Sequence, residues 1–214
     1  MSRKRRIELP PRRYFLLYKA AGCVSACADA EHPTVLDGFA PEERAGLFPL
    51  GRLDKNTEGV LLITDDGKLN HRLLDPQNHV EKEYRLWAAG TLGAGELAQL
   101  REGVHLKGVP EPTRPARVEV LQTAKLRDIS EPLFENRRGL LEECPDAPAV
   151  ELRLWLTEGK RHQVKRMLET VGCTVVWLRR ESFAGIRLDE TLRPGVHRPL
   201  TAAERALLGA EPER

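Results

Sequence analysis

The sequence predicts a mixed α+β fold organised around a bent, largely antiparallel sheet, and three observations carry that expectation. AVELRLWL (149–156) alternates, with Val150, Leu152, Leu154 and Leu156 on one side and Glu151, Arg153 and Trp155 on the other. A period of two marks a strand with one solvated or functional face, typical of antiparallel sheets. Beyond Lys160 the period changes: Val164, Met167, Leu168 and Val171 fall at i, i+3, i+4 and i+7, the stripe of an amphipathic helix ended by Gly172. Strand and helix patterns interleave irregularly over the 214 residues, with no internal repeat.

The elements follow in order. MSRKRRIELPPRR (1–13) is a basic arm carrying Arg3, Lys4, Arg5, Arg6, Arg12 and Arg13, without the apolar core of a secretion signal. YFLLYK (14–19) reads as a strand, turned by AAG, and Pro41 opens a short helix. VLLIT (60–64) is apolar enough for a buried strand, closed by a turn at Asp65-Asp66-Gly67. KLNHRLLD (68–75) is a short helix stopped by Pro76, EYRLWAA (83–89) a strand, and GAGELAQLREGV (93–104) a helix capped by Gly103. ARVEVLQ (116–122) alternates as a strand. RDISEPLFENRRGLLEECPDAP (127–148) has mixed polarity and three prolines, and reads as a long loop or insertion. TVVWLRRESF (174–183) returns to strand, and LTAAERALL (200–208) closes the chain as a helix with Thr201 as N-cap and Glu204 completing a capping box. The expected organisation is the arm, one domain over 14–210 split into two lobes around a cleft, and a tail at 211–214.

A hydrophobic content of 41% with 31% charged residues is that of an ordinary folded protein. No apolar stretch approaches the ~20 residues of a membrane span, so no membrane partner and a cytoplasmic location are expected. The net charge of +2 is small, but positive charge gathers in the arm and in GKRHQVKR (159–166). Local basic patches on a near-neutral chain suit a polyanion bound at one face, although a basic arm alone is equally a solvated tail. Cys23, Cys27, Cys144 and Cys173 contain no Cys-x-x-Cys pair and no histidine ligands beside them, which indicates free thiols rather than a metal site.

GRLDKNTEG (51–59) sets one carboxylate, Asp54, between Arg52 and Lys55, just ahead of the apolar strand. Flanking positive charge favours the ionised form, suited to a nucleophile or electrostatic stabiliser. On this stretch alone a surface salt bridge, worth ~0–1 kcal/mol, is the simpler reading.

GRLDKNTEGVLLITDDG (51–67), HVEKEY (79–84) and EGKRHQVKRML (158–168), in that order, change this reading. Together the three motifs resemble those of the pseudouridine synthases, specifically the branch that modifies bacterial ribosomal RNA. The resemblance runs from Tyr14 to the end of the chain, leaving out the arm and the 127–148 insertion. It implies the fold of that family and an enzyme that detaches uracil from its ribose and rejoins it through carbon 5, with no metal or organic cofactor.

The resemblance also assigns roles. It makes Asp54 the nucleophilic carboxylate, Tyr84 the ring that stacks under the flipped uracil, and Lys165 the basic partner of Asp54. Arg52 matches the side chain that enters the RNA stack as the target leaves, consistent with the need to flip out a base before modifying it; a plain phosphate contact is the alternative. Val164 matches the apolar lining of the uracil pocket, although its helical phase also suits core. Lys55, Lys82, Lys160, Arg161 and Arg166 are expected along the RNA, Arg166 lying about 100° around the helix from Lys165. His162 and Gln163 receive no chemical role.

Three departures from the family pattern stand out. Lys19-Ala20-Ala21-Gly22 replaces the usual Lys-Pro-x-Gly; too few residues precede the catalytic lobe for the S4-type RNA-binding module of many relatives; and the insertion is longer than expected. HRLLDPQNHVEKEY (71–84) favours 16S ribosomal RNA as the substrate, free or in an assembling subunit, whereas the missing module suggests the 23S enzymes. The remaining alternatives are a catalytically idle RNA-binding assembly factor and, less well matched, a glycoside hydrolase, which needs a second carboxylate across a cleft. A monomer is expected.

Overall fold

The computed structural model describes residues 11–210. Nine strands form one mixed sheet: β1 (Tyr14–Lys19), β2 (Phe48–Leu50), β3 (Glu58–Thr64), β4 (Lys82–Ala89), β5 (Arg117–Lys125), β6 (Pro148–Leu156), β7 (Thr174–Phe183), β8 (Ile186–Arg187) and β9 (His197–Pro199). Their order is β5-β6-β4-β7-β3-β1-β9, with β2 beside β3 and β8 beside β7. Six helices accompany them: α1 (Pro41–Arg44), α2 (Gly67–Leu74), α3 (Ala94–Glu102), α4 (Arg138–Glu143), α5 (Gln163–Thr170) and α6 (Ala202–Leu207). None of the described helices is long and apolar enough to cross a membrane.

All pairings are antiparallel except that of β3 with β7, which is parallel and made through only Glu58–Arg179 and Gly59–Arg180. This seam joins the two halves of the sheet. A Cβ on Gly59 would lie 2.2 Å from the Arg180 carbonyl oxygen, and Gly59 has φ +105°. Both the close approach and the backbone conformation therefore require glycine. One core covers the face that carries Leu61, Ile63, Leu86, Leu152, Leu154 and Met167; a smaller one gathers Tyr14, Leu16, Leu62 and Leu69 beside α6.

The closing capping box forms as the sequence indicates, with Glu204 N–H donating to Thr201 Oγ1 at 3.2 Å and Thr201 N–H to Glu204 Oε2 at 2.8 Å. Asp66, read as part of a turn, caps α2 by accepting from Lys68 and Leu69 N–H at 3.0 and 3.1 Å. The helix expected from Lys160 begins at Gln163, because residues 160–162 form a tight turn in which Gln163 Oε1 accepts from Lys160 N–H at 2.7 Å.

Three further expectations change. The 127–148 segment is not a loop: it folds into 3-10 turns at Leu126–Asp128 and Glu135–Arg137 followed by α4. Leu126, Ile129, Leu133, Leu140 and Leu141 cover Trp87 and Trp177 on the sheet. Its apolar residues show no period because several short turns, rather than one regular element, present them. Second, the far face of β6 is not simply solvated, since Glu151 is buried under Arg85, which it pairs with directly. Third, Arg12 and Arg13, read as part of a phosphate-binding arm, are held by the residue after β3: Arg12 Nη1 donates to Asp65 O at 3.0 Å and Arg13 Nε pairs with Asp65 Oδ2 at 2.8 Å. The rest of the arm up to residue 10, and the tail, lie outside the described residues. The single, largely antiparallel mixed sheet is the one the sequence predicts.

The seam makes a stability prediction. Gly59→Ala should cost about 2–4 kcal/mol in urea denaturation, the range of a forced backbone clash. Gly67→Ala, where an added Cβ meets nothing within 4 Å, should be neutral or stabilise by up to about 1 kcal/mol. Equal effects at both glycines would refute the seam as the constraint.

Candidate active site

Asp54 lies in the loop that enters β3, and its position is fixed from below by backbone-directed bonds. Lys19, fully buried at the end of β1, donates from Nζ to Ala20 O at 2.9 Å, Lys55 O at 3.1 Å and Thr57 O at 2.8 Å. Ser25 Oγ accepts from Leu53 N–H at 3.0 Å and donates to Leu53 O at 2.9 Å. Gly22 N–H donates to Lys55 O at 2.8 Å. The strand-end turn thus holds the loop without the proline common in this motif.

Above the loop, α5 supplies the partner. Lys165 Nζ lies 2.7 Å from Asp54 Oδ2 and 2.6 Å from Asn56 Oδ1, and 5.0 Å from the centre of the Phe134 ring. Asn56 and Phe134, from two distant segments, therefore aim one ammonium at one carboxylate. His162 Nε2 lies 3.6 Å from the other oxygen of Asp54. His162 adopts φ 52°, a left-handed conformation rare outside glycine and asparagine, at the turn that starts α5. By contrast, Arg52 and Lys55, the sequence neighbours of Asp54, are exposed and form no ion pair with it.

A cleft of about 370 Å³ opens beside this pair, within the size range of small-molecule and base pockets. Tyr84 on β4 lines it, only 9% exposed, together with Arg52, Val164, Leu178, Arg180 and Phe183. Lys82 also lines it, donating from Nζ to Val80 O at 2.8 Å. Burial, then the nearby Arg180 charge, pulls the Lys82 pKa down to about 8, against a smaller opposing effect of Glu158. Lys160 is engaged by Glu158 at 2.6 Å, and Gln163 Nε2 donates to the same carboxylate at 2.6 Å. Arg161 is exposed outside the cleft, while Arg166 bonds the backbone of Lys107 and lines a second depression. That depression, about 390 Å³, lies on the far side of Asp54 and Lys165 and is lined by Lys55, Asn136, Arg137 and Arg166.

The structure therefore brings Asp54, Tyr84, Lys165, Val164, Arg52 and Lys82 around one cleft. Sequence reading did not identify Lys19, Asn56, Phe134 or Arg180 as members of the site. A lone lysine ending a strand and an arginine doublet in a strand look like surface charge, and Phe134 sits in a segment without period. The one available signal was Lys19 at the start of the Lys-x-x-Gly turn.

Burial disfavours the Lys19 ammonium and brings its pKa from 10.5 to about 8, with Cys23, Asp54 and Glu58 opposing the shift. Between those values the unfolded chain keeps a proton that the folded one has released, so this group adds stability as pH rises through the window. In urea denaturation, the unaltered chain should gain on Lys19→Met by up to about 1.4 kcal/mol per pH unit there. A difference that stays flat would contradict this ionisation.

Comparison with known proteins finds relatives of the same fold. Residues 13–170 match the family model described as RNA pseudouridylate synthase. The chain is 38% identical over 201 residues to an uncharacterised RNA pseudouridine synthase, YtzG, of Bacillus subtilis, covering 94% of this chain and 74% of the relative. It is also 38% identical over 197 residues to the ribosomal small subunit pseudouridine synthase A of Salmonella typhimurium, covering 92% and 74%. A crystal structure of a pseudouridylate synthase superposes with a TM-score of 0.77 at 34% identity, over 94% of this chain and 75% of that one. A Cbf5-Nop10-Gar1 complex shares the fold, with a TM-score of 0.54 at 18% identity over 85% of this chain and 52% of that one. With the family model spanning most of the chain and relatives of this similarity along nearly its whole length, the chain belongs to the RNA pseudouridylate synthase family.

Proposed function

We propose that this protein isomerises a uridine of small-subunit ribosomal RNA to pseudouridine, with Asp54 as the carboxylate that acts on the nucleotide. The observation that carries the reading is the Asp54–Lys165 contact of 2.7 Å at the edge of a base-sized cleft lined by Tyr84. Similarity to small-subunit enzymes over nine-tenths of the chain favours 16S RNA.

In this reading the target nucleotide leaves its stack and its uracil lies on Tyr84, worth ~1–3 kcal/mol per stacked base. Arg52, exposed at the rim with no carboxylate partner among the described residues, fills the vacated stack. Lys165 orients the Asp54 carboxylate through their 2.7 Å contact. Val164, 5% exposed at the start of α5, packs against the base. The N1–C1′ bond breaks and a C5–C1′ bond forms, and C5 gives up its proton as N1 gains one. No cofactor is required.

The second depression offers a route for the flanking RNA backbone. Lys55 and Arg137 line it without a carboxylate partner among the described residues, whereas Lys160 is already neutralised by Glu158. A monomer working on ribosomal RNA in the cytoplasm fits this reading.

Tritium release from 16S transcripts labelled at uracil C5 tests the reaction, with 23S transcripts and partly assembled small subunits run alongside. Asp54→Asn should lose roughly 10³-fold or more in rate, and Lys165→Met roughly 10²-fold, with Lys165→Arg partly restoring it. RNA bound by the unaltered chain without release from any substrate would replace the enzyme with an RNA-binding assembly factor. Lys55→Ala with Arg137→Ala should weaken RNA binding and reduce its log–log salt slope by about 1–2. An unchanged slope would remove the second depression from the RNA path.

A further inference from the structure

Arg180 stands at the seam of the sheet with its side chain in the cleft wall, and its bonding is incomplete. It is 2% exposed, yet no carboxylate pairs with it among the described residues. Nε donates to Val60 O at 2.7 Å, and the guanidinium lies 4.8 Å from the Phe183 ring centre. Nη2 is buried and has no hydrogen-bond partner. A guanidinium taken out of water without a counter-charge is costly, by several kcal/mol in typical interiors. The Tyr84 hydroxyl offsets only part of this; burial still lowers the Arg180 pKa from its ordinary value.

Its place in the sheet says what would complete it. Arg180 pairs directly with Tyr84 across β4 and β7, and both line the same cleft. Lys82, two residues before Tyr84 on β4, adds positive charge to the same wall, and the nearby acid, Glu158, is engaged by Lys160 and Gln163. This wall therefore lacks an electron-rich occupant. A backbone phosphate would lie at the rim, near Arg52, rather than against the sheet.

We propose that Arg180 contacts the flipped base itself, its guanidinium holding a carbonyl oxygen of uracil and stabilising the negative charge the ring carries after it leaves the sugar. The inference rests on the synthase reading above. Cleavage of N1–C1′ leaves its electron pair on the ring, spread over N1, O2 and O4, while C1′ is held through the Asp54 carboxylate. Closing C5–C1′ consumes that pair and frees the carboxylate; C5 then loses its proton as N1 takes one. A buried donor facing a carbonyl oxygen acts most strongly at the stage when the ring is anionic, which is when it accelerates the reaction.

The test is single-turnover tritium release from transcripts carrying uridine, 2-thiouridine or 4-thiouridine at the target, each labelled at C5. Sulfur accepts hydrogen bonds poorly, so in the unaltered chain one of the two thio substrates should react about tenfold more slowly. Arg180→Met should lower the uridine rate roughly 10²-fold, leave RNA affinity and its salt slope within about threefold, and abolish that thio effect. Should Arg180→Met fail to fold, Arg180→Lys, which keeps the charge but loses the fork, carries the same comparison and should shrink the thio effect. A thio effect equal in variant and unaltered chains, or a loss residing wholly in RNA affinity, would overturn the inference by assigning Arg180 to the sheet or to phosphate. Release by the unaltered chain is scored first. Its absence refutes the synthase reading, whereas normal release with an unchanged Arg180→Met rate refutes this inference alone.

Discussion

The structure depends on the close approach of two backbones at Gly59 and Arg180. That contact is the parallel seam between β3 and β7, and it leaves no room for a side chain on the β3 side. Because the Asp54 loop enters β3 just before the seam, while Tyr84 pairs with Arg180 just beyond it, the same approach sets the width of the cleft. The sheet is thus both scaffold and ruler. The loop hangs from Lys19 and Ser25 on one side, Tyr84 stands on the other, and α5 closes the top with Lys165.

Electrostatics in the cleft are built from distant residues rather than neighbouring ones. Asp54 sits between two cations in sequence, but the ammonium that reaches it comes from α5, and that ammonium is itself shared with Asn56 and steered by the Phe134 ring. Two lysines, the buried Lys19 and the half-buried Lys82 of the cleft wall, have pKa values lowered to about 8 by burial. Lys19 has backbone carbonyls for all its donors. Satisfying a buried cation with three carbonyl oxygens is a stiff arrangement, since each donor is committed to a different piece of backbone.

Much of this was legible in the sequence, for identifiable physical reasons. The period-two strands, the α5 stripe and the capping box at Thr201 are local patterns, and local patterns survive folding. Asp54, Tyr84 and Lys165 were visible through the resemblance of their motifs to a known family, and the fold brings them to one cleft. Burial of charge was not legible. Lys19, Glu151 and Arg180 are polar residues inside the protein, and nothing in a one-dimensional pattern distinguishes them from surface charge. The 127–148 segment hid its packing because its apolar residues are presented by short turns. The insertion reaches the site through Phe134, whose N–H donates to Val176 O at 2.8 Å, a long-range contact that no local signal encodes.

The seam also has a meaning for how the molecule comes into being. Arg180 and its Val60 acceptor are 120 residues apart in the chain, so the contact carries a high loop-closure cost and belongs to the late, non-local part of folding. A ribosome adding about 5–20 residues per second exposes the Asp54 loop and β1 well before β7 emerges. In that interval β3 presents an open edge, and β4 has no neighbour on the side that β7 will occupy. Nascent fragments are therefore inert as well as incomplete: the chain acquires a cleft only when its last long strand arrives, and assembly of the fold and onset of chemistry become the same event.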